Sequence, residues 1–133
     1  MSTFQELGLN KDLLNAITDM GFVTPSDVQL QAIPQLLTEE RDLVALAQTG
    51  TGKTAAFGFP MLQKIDVDSR TTQGLILSPT RELCLQITNE LKQYGKYCNM
   101  PTDRQNELGT PSAARRARKH GLRETRLPAR VLR

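Results

Sequence analysis

The chain has 133 residues, 38% of them hydrophobic and 23% charged, with a formal net charge of +3. That is the size of one ordinary domain, and nothing in the composition points to a fibrous or membrane class. No run approaches the about 18 apolar residues of a membrane span, and the N-terminus MSTFQELGLNKD has no basic flank leading into an apolar core, so neither a span nor a secretory signal is expected.

The positive charge is unevenly placed. Residues 1–100 hold 8 Lys+Arg and 11 Asp+Glu, a balance of −3, and residues 101–133 hold 9 and 3, a balance of +6. The basic character therefore belongs to the last quarter and is no nucleic-acid footprint on a fold. Cys84 and Cys98 have neither disulfide-framework nor metal-site spacing and read as reduced packing residues of a cytoplasmic protein.

In chain order, Leu13, Leu14, Ile17 and Met20 recur at helical spacing, which predicts a helix over 10–20 with Asn10 at its N-cap and Gly21 as its stop. A second helix opens at Pro25 and Ser26, with Ser26 or Asp27 at the cap and a kink or early end at Pro34. Residues 42–47, DLVALA, read as a buried strand. Residues 47–54, AQTGTGKT, follow at once, and a third helix is expected from Gly52 or Lys53, broken or kinked at Pro60. Residues 73–78, QGLILS, read as a second buried strand, and residues 80–97 as an amphipathic helix with Leu83, Ile87, Leu91 and Tyr94 on one face. Strands alternating with helices predict an α/β fold with a parallel sheet flanked by helices, truncated at two strands. From Pro101 the apolar periodicity stops. Residues 101–133 are expected to form a basic, largely irregular tail, and Arg115, Arg116, Arg118 and Lys119 a solvated cluster.

The segment 47–54 has the form of a phosphate-binding loop. Glycines let successive backbone N–H groups converge on one concavity, and the following helix adds the partial positive charge of its N-terminus. Gln48, Thr49, Gly50, Thr51 and Gly52 supply the loop, Lys53 reaches the β- and γ-phosphates, and Thr54 ligates Mg²⁺. The expected cofactors are ATP and Mg²⁺. Alone, the loop leaves other P-loop NTPases open, such as a small kinase or a GTPase.

Two flanking segments narrow the choice. GFVTPSDVQ (21–29), with Phe4 upstream, and SPTRELCLQ (78–86) join AQTGTGKT in a fixed order. Together they resemble the Q motif, motif I and motif Ia of DEAD-box RNA helicases over residues 1–100, and Ala47 in place of the loop's first glycine agrees with that family's usage. The resemblance implies a RecA-like P-loop domain, ATP-dependent work on RNA, and Gln29 as the reader of the adenine edge, since an amide can donate to N7 and accept from N6. It implies that Phe4, Phe22 or both pack near the base. It implies that Pro79, Thr80 and Arg81 meet the RNA backbone without reading sequence, as a hydroxyl, helix-start N–H groups and a guanidinium are suited to do. No D-E-x-D or D-E-x-H string occurs, and neither the S-A-T nor the H-R-I-G-R pattern follows. The expectation is an N-terminal portion of such a helicase that holds ATP without turning it over, followed by sequence unrelated to the family. The alternative is a non-catalytic nucleotide- or RNA-binding module.

Overall fold

A computed structural model describes residues 3–39, 42–69 and 71–99. The expected tail 101–133, with its basic cluster, lies outside the described residues. A short 3₁₀ turn, Phe4–Leu7, leads into α1 (Lys11–Asp19), α2 (Asp27–Thr38), α3 (Lys53–Lys64) and α4 (Arg81–Tyr94). Among the described residues no helix is long and apolar enough to cross a membrane.

Local chemistry sets the helix ends. The Asn10 side chain accepts from the Leu13 N–H at 3.0 Å, satisfying one of the orphan donors at the start of α1. Thr80 does the same for α4 through the Leu83 N–H at 3.2 Å. Ser26 caps α2 in a capping box with Gln29, whose Oε1 accepts from the Ser26 N–H at 3.0 Å. Neither proline ends its helix: α2 runs through Pro34 to Thr38, and α3 through Pro60 to Lys64. A proline inside a helix costs about 3 kcal/mol, and burial on the same faces offsets it. Ile33 and Phe59, beside the two prolines, are fully buried, as is Pro60 itself.

The core lies on α3. Phe59 packs its ring against Phe4 (centroids 6.3 Å apart, edge-on) and Tyr94 (4.7 Å, tilted), and Leu13, Ile17, Ile33, Leu62 and Leu91 are among the other members of the cluster. α3 packs against both α2 and α4. The approach to α4 depends on Gly58, where a Cβ would meet Leu91 Cδ2 at 2.9 Å and the Tyr94 ring at 3.3 Å. Near the end of α3, Gln63 behaves like a peptide unit. Its Oε1 accepts from the Asn10 N–H at 2.8 Å and its Nε2 donates to the Gly8 carbonyl at 2.9 Å, strapping the N-terminal segment to α3. Asp19 at the end of α1 is tied to Lys96 at 2.8 Å and to the Tyr97 hydroxyl.

The expected strands are a correction. Residues 42–47 and 73–78 are irregular, and the described residues contain helices and no strands. A strand exists only through a hydrogen-bonded neighbour, and these two segments do not pair with each other. Burial fails with the pairing: Val44 is 86% exposed, Leu46 96% and Leu77 84%, so apolar residues chosen for an interior face water.

Candidate functional site: a glycine loop under the cap of α2

The loop at 47–54 ends at the N-terminus of α3, with Gly52 as the N-cap. Gly50 and Gly52 both have φ +79°. At Gly52 that left-handed backbone turns the chain into the helix, and a side chain there would also collide, since a Cβ would lie 2.3 Å from Gln29 Nε2. Gln48, Thr49, Gly50 and Lys53 are exposed, while Thr51, Gly52 and Thr54 are half-buried. The Thr51 hydroxyl donates to the Gln48 carbonyl at 2.8 Å, tightening the turn. Lys53 Nζ donates to the Ala47 carbonyl at 2.6 Å and so folds back over the loop.

The cap of α2 sits on this loop. Gln29 is buried, and its Nε2 donates to the Gly52 carbonyl at 3.1 Å. The Ser26 hydroxyl donates to the Thr51 carbonyl at 2.8 Å. With the Ser26 N–H to Gln29 Oε1 bond, these contacts form a closed circuit of two side chains and two loop carbonyls. In the sequence Gln29 is singled out only as a reader of the adenine edge, and Ser26 only as a helix cap. The S-x-x-Q spacing carried the signal for their pairing, whereas nothing in the sequence announced the reach of Ser26 to Thr51.

The aromatic pair divides its work. Phe4 is buried in the core, its ring stacked on Phe22 with centroids 6.4 Å apart and planes 25° apart. Phe22 is 40% exposed, so of the two rings it is the one that reaches the surface. A cleft of about 460 Å³ opens between α2 and residues 43–48, lined by Ser26, Gln31, Gln35, Leu43, Leu46 and Thr51 among others. Pro79, Thr80 and Arg81 are all exposed at the start of α4. Among the described residues no group of three or more His, Cys, Asp or Glu could hold a metal ion. The chemistry of the set, backbone N–H groups at a helix start with a lysine and a hydroxyl, suits a polyphosphate with its Mg²⁺.

The chain is similar to known proteins in sequence and in fold. The DEAD/DEAH box helicase family model matches residues 26–127. The DEAD-box ATP-dependent RNA helicase CshA of Bacillus cereus is 46% identical over 97 residues, 73% of this chain and 18% of that protein. The ATP-dependent RNA helicase FAL1 of Candida albicans is 51% identical over 100 residues, 75% of this chain and 25% of that protein. Among solved structures, S. cerevisiae Dbp5 bound to RNA and ADP BeF3 superposes with a TM-score of 0.70 at 40% identity, covering 73% of this chain and 25% of that one. A DEAD box protein from the hyperthermophile Methanococcus jannaschii superposes with a TM-score of 0.66 at 40% identity, covering 69% and 25%. The chain thus spans a quarter or less of each of these relatives. On the family match, the shared fold and the three motifs, the chain belongs to the DEAD/DEAH box helicase family.

Proposed function

We propose that this chain is the ATP-binding N-terminal portion of a cytoplasmic ATP-dependent RNA helicase. One observation carries the reading: the buried Gln29 amide lies directly against the glycine loop at the start of α3. An amide at that place can hold an adenine edge while the loop N–H groups and Lys53 hold the phosphates. Phe22 offers a face to the base with Phe4 behind it, and Thr54 ligates Mg²⁺ together with phosphate oxygens and water. Pro79, Thr80 and Arg81 present the start of α4 to the RNA backbone, which gives binding without sequence preference. In the whole protein the segments 42–47 and 73–78 pair as parallel strands of a RecA-like sheet, which would cover Val44, Leu46 and Leu77. The relatives support the reading, since Dbp5 is described in complex with RNA and ADP BeF3.

The test is nucleotide competition on the full chain. A fluorescent ATP analogue should bind, ATP and ADP should displace it, and GTP should displace it at least about tenfold less well, because a misfitted edge leaves polar groups unpaired. Equal displacement by GTP would refute the adenine-reading role of Gln29. Turnover is expected at background with or without RNA, since hydrolysis also needs a carboxylate for the ion and a group to orient water. RNA-stimulated hydrolysis would overturn that part.

A further inference from the structure

We propose that Gln63 is a positioning residue for the aromatic pair Phe4 and Phe22, and through that pair for the base of a bound adenine nucleotide. The inference rests on reading the exposed face of Phe22 as a base platform. Gln63 is half-buried near the end of α3 and holds the short link between the two elements that carry the rings. Its Nε2 donates to the Gly8 carbonyl at 2.9 Å, and its Oε1 accepts from the Asn10 N–H at 2.8 Å. A residue of a parallel strand bonds both neighbours of its partner in the same way, so one side chain does for the buried Leu9 what a strand would. Both bonds go to backbone groups, so they fix the course of the chain at 8–10.

From this link two elements lead to the rings. On one side Gly8 caps the 3₁₀ turn Phe4–Leu7, whose first residue is Phe4. Gly8 has φ +82°, and a glycine bend without an outside tie is soft. On the other side Asn10 caps α1, beyond whose far end the Phe22 N–H donates to the Ile17 carbonyl at 3.1 Å. The two elements meet again where the Phe4 ring stacks on Phe22. Phe59, one turn before Gln63 on α3, meets the Phe4 ring edge-on, so a single face of α3 grips both the ring and the link. Since α3 begins at the glycine loop, the strap ties the aromatic platform to the same helix that would hold the phosphates. Gln63 stands at the opposite end of α3 from that loop, so it touches no ligand and acts through the rings.

The experiment uses the full chain with Gln63→Met, which removes both polar atoms at nearly the same length. The first readout is the nuclear Overhauser contact between the Phe4 and Phe22 rings in the ligand-free protein. The second is affinity for ATP and for inorganic pyrophosphate, each measured with Phe22 present and in a Phe22→Ala background. Gln63→Met should weaken the ring contact and lower ATP affinity by about threefold to tenfold, the range for one or two lost hydrogen bonds. Pyrophosphate affinity should stay within about twofold, since that ligand has no base, and in the Phe22→Ala background the substitution should cost ATP nothing further. An unchanged ring contact or an unchanged ATP affinity overturns the inference. An equal loss for pyrophosphate overturns it too, because Gln63 would then support the fold as a whole, and so do losses that simply add to those of Phe22→Ala. If Phe22→Ala alone leaves ATP binding intact, the platform reading fails, while the ring contact in the free protein still decides whether Gln63 positions the pair. Should Gln63→Met fail to fold, Gln63→Glu answers by the same measurements, since its carboxylate accepts from Asn10 but cannot donate to Gly8; ATP affinity equal to wild type would overturn the inference.

Discussion

Lys53 Nζ and the Ala47 carbonyl oxygen lie 2.6 Å apart, so the lysine closes the loop on itself across six residues. On the proposed function a ligand phosphate competes with that carbonyl for this ammonium. The exchange favours the phosphate, since a charged acceptor forms a hydrogen bond roughly twice as strong as a neutral one. Lys53→Ala should therefore weaken ATP binding by about tenfold to a hundredfold, corresponding to about 1.5–3 kcal/mol for a hydrogen bond to a charged group. Because Lys53 is exposed, the melting temperature should stay within about a degree or two of wild type. Calorimetric titration with ATP and a thermal melt check the two halves separately, and a large loss of stability would contradict the placement of Lys53.

Phe59 joins the N-terminal turn to α4 through Phe4 and Tyr94 and is fully buried. Phe59→Ala should cost about 3–5 kcal/mol, the usual range for emptying a buried aromatic site. Urea denaturation followed by circular dichroism measures this. In a domain of about 100 described residues that loss should leave much of the population unfolded at 37 °C.

The tie between the end of α1 and the residues that follow α4 predicts a pH dependence. The Lys96 side chain donating to Asp19, helped by the Tyr97 hydroxyl, holds the Asp19 carboxyl below its ordinary range. The same bond raises the Lys96 ammonium above its own. A depressed carboxyl contributes stability that is complete above its unfolded value, about 3.9, and is lost as pH falls through the folded one. A raised lysine contributes fully below about 10.4 and loses it as pH rises through the folded value. The tie is thus intact between these limits, and both partners are exposed, so salt weakens it. Asp19→Asn should lower the melting temperature at pH 7 and not at pH 2. An equal deficit at both would show that the charge is not what matters.

The uncovered apolar residues predict self-association. Leu46→Lys with Leu77→Lys should raise the concentration at which light scattering appears, because both leucines are more than four-fifths exposed and bury nothing in the folded helices. The same pair should leave the helical signal unchanged. A loss of helix would mean that the two segments pack against the body.

The helices were legible because their signals are local. Asn10, Ser26 and Thr80 cap them, and the apolar spacing of Leu13, Ile17, Leu91 and Tyr94 names the buried face. Neither proline ends its helix as one of the two expected outcomes had it, since the cost of Pro34 and Pro60 is local while the burial that offsets it comes from other helices. The strands do not form among the described residues for the converse reason. DLVALA and QGLILS have strand composition, but pairing is a relation between segments and no single segment contains it. At the site, the order of the motifs located the loop and its glutamine. The strap made by Gln63 and the reach of Ser26 were invisible, because each joins residues 25 or more positions apart through one polar atom.

The space at Gly52 has a consequence for how this sequence can vary. A Cβ there would fall 2.3 Å from Gln29 Nε2 and 3.2 Å from Gln29 Cδ, so the amide occupies the volume that the glycine vacates. The two positions are not independent. A methyl at 52 expels the glutamine, and once the glutamine is gone the methyl costs only its backbone strain. Losses at 29 and 52 therefore sum to less than their parts. A lineage that abandons the glutamine is released from one of the two reasons to keep the glycine, while a lineage that keeps the glutamine can never exchange that glycine alone.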